Sequence, residues 1–386
     1  MNIEKLLEKL YTSESYYKSV DEEINEIAAK IHLGYGPEKI NRDRNPEFKY
    51  LFEFAKSRIR VSRKFSQAAH LFLDYYSSLY STPEIVGKYR ANRLKGRYII
   101  DAGSGAGMQD IMFSLSSDVS GIEINRSRYL MSMLNRKPYG SNANFLCEDF
   151  LDYNGDFNGK IIFSDPLRPQ NSREKVFSQL SPDPVDIVKG RQGISGYAID
   201  LPPHMKWKNI PLEGEKEYIS VNGNLNRLTL YSPSLSVGKA TAVLLPENRV
   251  ISGKPEEFQH SIESVLKNME YLFVPDISVL SAGLLNKVID PDWKLIYSDS
   301  RRSVFSGNSI YEQFAGKQYA ILDYSASLDI LPKLKKFDAG KIYFRFSMQP
   351  EETYRYKNKI EPELTGKKNI YIFKSDKKYI ITEELE

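Results

Sequence analysis

The stretch that decides the fold is Tyr98-Ile99-Ile100-Asp101-Ala102-Gly103-Ser104-Gly105-Ala106-Gly107-Met108. A short apolar run of strand type stops at an acid, passes three glycines at alternate positions, and opens onto Met108–Leu115, whose apolar spacing predicts a helix. The glycines remove Cβ atoms where the chain turns sharply, so a ligand can approach the backbone itself. Strand, glycine turn and helix in that order begin a βαβ unit.

The rhythm continues downstream. Val119–Glu123, Asn144–Cys147, Lys160–Phe163 and Gly196–Leu201 read as further strands, with a helix over Arg126–Leu134. Alternation of this kind predicts an α/β fold, a Rossmann-like parallel sheet with right-handed crossovers. The strands end in chemistry, on the edge where open α/β sheets bind ligands. Glu123, with Ile124 beside it, lies 22 positions after Asp101, where a carboxylate accepts ribose hydroxyls. Asp149 follows the third strand beside Phe150, an aromatic placed to face an adenine. Asp165-Pro166-Leu167-Arg168 ends the fourth strand. Proline there fixes the backbone so that the preceding carbonyl can accept a hydrogen bond from an attacking amine or hydroxyl, and Arg168 offers a planar fork to phosphate or carboxylate. A second corner, Asp200-Leu201-Pro202-Pro203-His204, ends the fifth strand, and its lone histidine beside prolines reads as structural.

The glycine spacing, G-x-G-x-G after an acid, differs from the G-x-G-x-x-G of dinucleotide sites. An acid two residues before the first glycine repels a pyrophosphate and suits a cationic amino group, which points to S-adenosylmethionine (SAM); a structural turn or an NAD site is the alternative. The expected cofactor residues are Asp101, Gly103, Ser104, Gly105, Gly107, Glu123, Ile124, Asp149, Phe150 and Asp165, and the expected catalytic residues are Asp165, Pro166 and Arg168.

Ahead of this domain the chain reads as helical. Asn2–Leu10, Val20–Ile31 and Glu47–Arg60 carry apolar residues at helix spacing, the aromatic segment Phe65–Tyr80 follows, and Thr82-Pro83-Glu84 has the form of a helix start, threonine as cap and proline at the first position. Residues 39–97 hold 14 Lys/Arg against 5 Asp/Glu, a balance of +9 in a chain whose net charge is +4. Such a block is the footprint of a surface that meets phosphates, or else a solvated helix face. Beyond the fifth strand, Leu225–Tyr231 and Lys239–Leu245 read as a hairpin and Glu257–Met269 as an amphipathic helix. The tail from Gln318 reads strand, helix, strand, helix, then two strands, a small α+β module. The expected domains are residues 1–90 (helical), 91–250 (α/β), 251–317 (connecting) and 318–386 (α+β).

Composition narrows the class. Of 386 residues 41% are hydrophobic and 27% charged, which suits a globular chain and not a disordered one. No apolar run approaches the ~20 residues of a membrane span, and the N-terminus MNIEKLLEKL lacks the apolar core of a signal peptide. A single cysteine, Cys147, and four histidines without ligand spacing argue against disulfides and metal sites. The expectation is a soluble, cytoplasmic protein without metal.

With these residues in view, the sequence resembles class I SAM-dependent methyltransferases, and more narrowly the prokaryotic set with a C-terminal THUMP-like domain. Arg63-Lys64-Phe65 and Tyr80–Arg90 are similar to that family's helical lead-in, and Asp165-Pro166-Leu167-Arg168 to its Asp-Pro-x-Arg corner. Glu217–Gly223 followed by Lys239–Leu245, Phe273–Asp276 followed by Leu280–Gly283, and Lys341–Arg345 are similar to its later segments. The resemblance implies an RNA methyltransferase, with tRNA as the expected partner, held by the basic segment 39–97 and the C-terminal domain. Base-amine methyltransferases carry an aromatic after the Pro-Pro step that stacks on the flipped base; Leu167 and Arg168 stand there here. That departure motivates a protein or small-molecule methyltransferase as the runner-up, and an RNA-binding protein that holds the cofactor without turnover is the third reading.

Overall fold

Along the first strand, β1 (Tyr98–Ala102), Ile99 and Ile100 point to opposite faces and both are fully buried. The same alternation in β4 (Ile161–Ser164) sends Ile161 and Phe163 to the core of Ile99, and Ile162 to the core of Ile100. A strand buried on both sides belongs in a sheet covered on both faces, and this is what is found. The computed structural model describes residues 2–41, 45–167, 177–258, 261–263, 269–299, 301–376 and 378–385. The chain falls into two compact units, residues 1–215 with 227–236, and residues 216–226 with 237–386.

In the first unit, β2 (Asp118–Ile122), β3 (Asn144–Leu146) and β5 (Gly196–Leu201) join β1 and β4. Two further strands follow in the chain, β6 (Glu215–Val221) and β7 (Asn224–Tyr231). The sheet order of this unit is β3-β2-β1-β4-β5-β7. All neighbours are parallel except the last, which runs antiparallel with Ala198 opposite Tyr231 and Leu201 opposite Leu228. The strand ends of β1, β2 and β4 therefore finish level with one another. That rim carries the site.

The N-terminal helices are α1 (Ile3–Thr12), α2 (Glu14–His32), α3 (Pro37–Ile40) and α4 (Phe48–Val61). Asn2 caps α1 by accepting from Lys5 N–H at 3.0 Å. Their apolar stripes, Leu6, Leu7 and Leu10 with Val20, Ile24 and Ile27, merge with Ile99, Ile111 and Phe163 into one buried core. The aromatic segment after α4 departs from helix. Leu71-Phe72-Leu73 is an extended, fully buried run whose backbone is read by Asn135, which accepts from Phe72 N–H at 2.8 Å and donates to its carbonyl at 3.1 Å. Helix returns as α5 (Tyr75–Tyr80) and α6 (Glu84–Arg93). Pro83, expected at the first helical position, stands instead at the N-cap without a capping side chain, and the hydroxyl of Thr82 accepts from Arg227 at 3.3 Å. The glycine turn leads into α7 (Met108–Phe113), and β2 into α8 (Arg126–Tyr139).

In the second unit, β8 (Ala240–Leu245) lies parallel to β6 and antiparallel to β9 (Arg249–Gly253). The expected hairpin between β7 and β8 is therefore absent, since each pairs with other strands. The expected helix over 257–269 also fails where it is described: residues 257–258, 261–263 and 269 take no helix, and the rest lie outside the described residues. A seven-stranded sheet follows, built from β10 (Tyr271–Pro275), β11 (Lys294–Ser298), β12 (Ser303–Gly307), β13 (Gly316–Ser325), β14 (Ala339–Phe344), β15 (Lys368–Ser375) and β16 (Lys378–Glu384), in the order β11-β12-β10-β13-β16-β15-β14. The tail has the α+β order read from the sequence, with helices Leu331–Lys336 and Pro350–Ile360. Their residues Leu334 and Ile360 pack on Ile342, Ile370, Ile372 and Ile381. No described helix is long and apolar enough to cross a membrane.

Candidate active site

Parallel pairing sets Asp101 opposite Gly121 on one side and Phe163 on the other, and the chain turns immediately beyond. Gly103 and Ser104 both donate to the carbonyl of Ile122, at 2.9 and 3.0 Å, which ties the turn to the end of β2. Gly103, Gly105 and Gly107 have φ of +100°, +57° and +80°, a conformation that disfavours a side chain. They are not equivalent. A Cβ at Gly103 or Gly105 would meet nothing within 4 Å, whereas one at Gly107 would lie 2.7 Å from Ser132 Cβ and 2.8 Å from the Phe145 ring. The first two glycines leave open surface for a ligand; the third lets α7 pack against α8 and β3.

Glu123 is the post that holds the turn. Its Oε2 accepts from Gly105 N–H at 2.8 Å and its Oε1 from Asn125 N–H at 2.8 Å. It is buried to 6% exposure, and each oxygen retains a second lone-pair direction. Beside it the side chain of Ile124 stands 67% exposed.

Beneath the turn the charge is arranged in a way the sequence did not reveal. Asp101 and Asp110, the latter in the first turn of α7, are both buried. Burial, then the charge of Asp110 and a hydrogen bond from it, hold Asp101 well above the usual carboxylate range, with Asp165 and Asp200 adding to the effect. Burial pushes Asp110 up to about 8. The two acids are coupled, and burial favours the protonated form of each. Nearby, Ser104 Oγ and Gln109 Nε2 are buried without a hydrogen-bond partner among the described residues.

The second buried cluster centres on Arg90, which α6 delivers fully buried to the carboxyl end of β5. Its Nη2 donates to Asp200 Oδ1 at 2.5 Å and to Thr229 Oγ1 at 2.8 Å, and its Nη1 to Gln109 Oε1 at 3.2 Å. Thr229 in turn donates to Asp200 at 2.8 Å, and Arg227 Nε stands 3.6 Å from the other Asp200 oxygen. The guanidinium of Arg90 lies 5.5 Å from the Phe163 ring centre and feels the charge of Asp165. Asp200 is thus the anchor of an ion-pair network, and His204 beyond it is exposed.

The structure brings Asp101, Glu123, Asp149 and Asp165 to one rim. Asp149 is half-buried and accepts from Leu151 N–H at 2.9 Å. Asp165 is exposed, Pro166 is buried, and Leu167 is exposed and bridged through its backbone to Ser181 at 2.8 and 2.9 Å. Arg168 lies outside the described residues. Phe150 departs from its expected orientation toward a ligand. It is buried, edge-on to Phe157 with ring centres 6.1 Å apart and with the Arg191 guanidinium 5.0 Å away, so its ring belongs to the core rather than to an open face. Asp110, Gln109 and Arg90 were missed. Only Asp110 had a readable signal, an acid in the first turn of a helix; the partners of Arg90 are 110 and 139 positions away.

Among solved structures, the chain is similar to a protein of Porphyromonas gingivalis W83 named as a candidate methyltransferase, with a TM-score of 0.69 and 18% identity over 95% of this chain and 99% of that one. The two chains share one fold, a Rossmann-like α/β sheet with an N-terminal helical region and a C-terminal sheet part. A type I restriction-modification methyltransferase subunit of Streptococcus thermophilus matches at 15% identity and a TM-score of 0.32, over 45% of this chain and 50% of that one. A tRNA (uracil-54, C5)-methyltransferase of Pyrococcus abyssi, solved with S-adenosyl-L-homocysteine, matches at 19% identity and a TM-score of 0.24, over 31% and 28%. Likeness at these lower scores carries nothing about the substrate. No protein-family model and no curated protein matches the sequence. The described residues hold no cluster of side chains suited to a metal ion.

Proposed function

We propose that the protein is a SAM-dependent methyltransferase whose acceptor is a structured RNA, tRNA foremost. The observation that carries the reading is the turn at Gly103 and Gly105, open to ligand above, pinned to Glu123 at its side and underlain by the Asp101–Asp110 pair. These residues fit the cofactor: open space where a Cβ would stand, a carboxylate with free lone pairs for ribose hydroxyls, an exposed Ile124 to cover a base, and a buried acid pair that a cation would draw toward its ionised form. When bound, the cofactor supplies an activated methyl group on a sulfonium. The work of the chain is orientation. Glu123 and Asp149 would hold the nucleoside, and Asp165 with the backbone before Pro166 would hold the acceptor by accepting a hydrogen bond from its amine or hydroxyl. Arg168 would contact a phosphate or carboxylate of the acceptor.

For the RNA acceptor, support comes from the basic block at 39–97 and from the C-terminal α+β part, which we read as THUMP-like. Fewer of the block's cations face outward than the count suggests. Arg58 is paired to Asp21 at 2.6 Å, Arg90 to Asp200, and Arg93 to Glu215 at 2.8 Å. The test is transfer of labelled methyl groups from SAM to bulk tRNA isolated without this gene's product. Label in the tRNA is the expected result; label confined to protein or small molecules favours the second reading, a protein or small-molecule methyltransferase, to which the exposed Leu167 in place of a stacking aromatic lends support.

A further inference from the structure

Helix α5 is short, and its sequence Tyr75-Tyr76-Ser77-Ser78-Leu79-Tyr80 is amphipathic the wrong way round. The small Ser78 faces inward and is fully buried, while Tyr75, Tyr76, Leu79 and Tyr80 stand out, Tyr80 at 64% exposure. Positions 75 and 79, and 76 and 80, are each four apart, so the four side chains form a two-column stripe on one helix face. Tyr75 and Tyr76 meet edge to face with ring centres 5.5 Å apart. Exposed aromatics in such a group call for a covering partner.

The cations around this stripe say what the partner is. Arg60 lies 4.9 Å from the Tyr75 ring centre and donates to Ser78 Oγ. The Lys64 ammonium donates to the carbonyls of Ser78 and Leu79, at 3.1 and 2.7 Å, which places a charge at the end of the helix. Burial lowers Lys64 below the ordinary lysine range, and the charges that lower it further are Arg227 and Arg60. Arg63 is exposed in the same turn. The nearby acid Glu84 is taken up by Lys88, Ser66 and Tyr139. Arg60, Lys64 and Arg227, held close together beside exposed aromatic rings, match the two features of a single strand of nucleic acid, phosphates and base faces. A link to the active rim is built in: Arg227 donates to the Tyr80 carbonyl at 2.8 Å and stands 3.6 Å from Asp200.

We infer that Tyr75, Tyr76 and Tyr80, flanked by Arg60 and Lys64, form a stacking platform that takes an unpaired RNA segment at the edge of the active site. This rests on the RNA reading above and gives it a surface. Unpaired bases stack on the tyrosine rings irrespective of sequence, and the cations take the adjoining phosphates.

The test is fluorescence anisotropy of a labelled, unstructured 15-nucleotide oligoribonucleotide at two salt concentrations, with the whole protein. The expected result is salt-dependent binding that weakens about tenfold in Tyr75→Ala/Tyr76→Ala, with the salt slope unchanged, while Tyr75→Phe/Tyr76→Phe binds as the wild type does. SAM affinity should be the same in all three proteins. Wild-type affinity in the alanine pair overturns the platform. If the oligonucleotide is not bound yet tRNA is still methylated, the platform falls and the RNA reading stands. If neither happens, both fall, and capture of a peptide instead points to the second reading.

Discussion

Arg90 Nη2 donates to Asp200 Oδ1 at 2.5 Å across 110 residues of sequence, and neither group is exposed to more than 2%. The helix that precedes the glycine turn is thereby locked to the fifth strand at the ligand-binding edge. Breaking a buried pair from one side leaves the other charge unpaired, which costs about 3–5 kcal/mol. Arg90→Met is therefore expected to lower Tm by roughly 10 °C, and Arg90→Met/Asp200→Leu to recover more than half of that loss. Thermal melts of the two variants check it; equal melting of Arg90→Met and wild type would remove the lock.

Glu123 carries the turn on a charged acceptor, and hydrogen bonds to a charged group are worth about 1.5–3 kcal/mol. Glu123→Gln turns one oxygen into a donor that faces Gly105 N–H or Asn125 N–H. The expected outcome is SAM affinity reduced by about tenfold or more, measured by titration calorimetry, with a Tm only a few degrees lower. Unaltered affinity would take Glu123 out of the site.

The two kinds of glycine separate in a simple pair of variants. Gly107→Ala drives a Cβ into Ser132 and Phe145, an overpacking cost of about 1–3 kcal/mol on top of the left-handed backbone cost of about 1–2 kcal/mol. Gly105→Ala incurs only the backbone cost, because the space is open. Denaturant unfolding should place Gly107→Ala well below Gly105→Ala in stability, and calorimetry should show Gly105→Ala weakened for SAM beyond what its stability loss explains.

The Asp101–Asp110 pair makes stability fall as pH rises. Both carboxyls are raised in the folded chain, Asp110 to about 8, against an unfolded value of 3.8. The folded state therefore holds more protons than the unfolded state through this window. Stability is full below pH 4 and is withdrawn progressively toward pH 8. Asp110→Asn, neutral throughout, should flatten the Tm profile above pH 5 and melt above wild type at pH 8. A cationic ligand draws the pair toward its ionised form, so SAM affinity should rise toward pH 8 with release of protons, seen as a dependence of binding heat on the buffer's ionisation enthalpy. An uptake of protons on binding would contradict this.

The α/β sheet was legible because its signals are local. Tyr98–Asp101, Gly196–Leu201 and the glycine turn are each marked by a few adjacent residues, and the acids at 101, 123, 149 and 165 sit where strand periodicity ends. Phe150 was misread because an aromatic beside an acid looks the same whether its ring meets a ligand or, as here, Phe157 and Arg191. The β7–β8 hairpin was misread because proximity in sequence favours adjacent pairing, while β5 competes for β7 and β6 for β8. The pairing of Asn135 with Phe72 in the extended Leu71–Leu73 run had no sequence mark at all, since an amide in a helix reads as a surface residue.

What the sequence alone determined is which residues turn, which alternate and which carry charge, because backbone freedom and apolar period act between neighbours. What only the tertiary structure decided is which charges are paired and which are neutralised. Arg90 counted as surface charge until Asp200 met it, and Asp101 counted as a full anion until burial beside Asp110 held it toward its protonated form. Burial and Coulomb energy depend on distance through space, and residues 9 to 139 positions apart become neighbours only when the chain has folded.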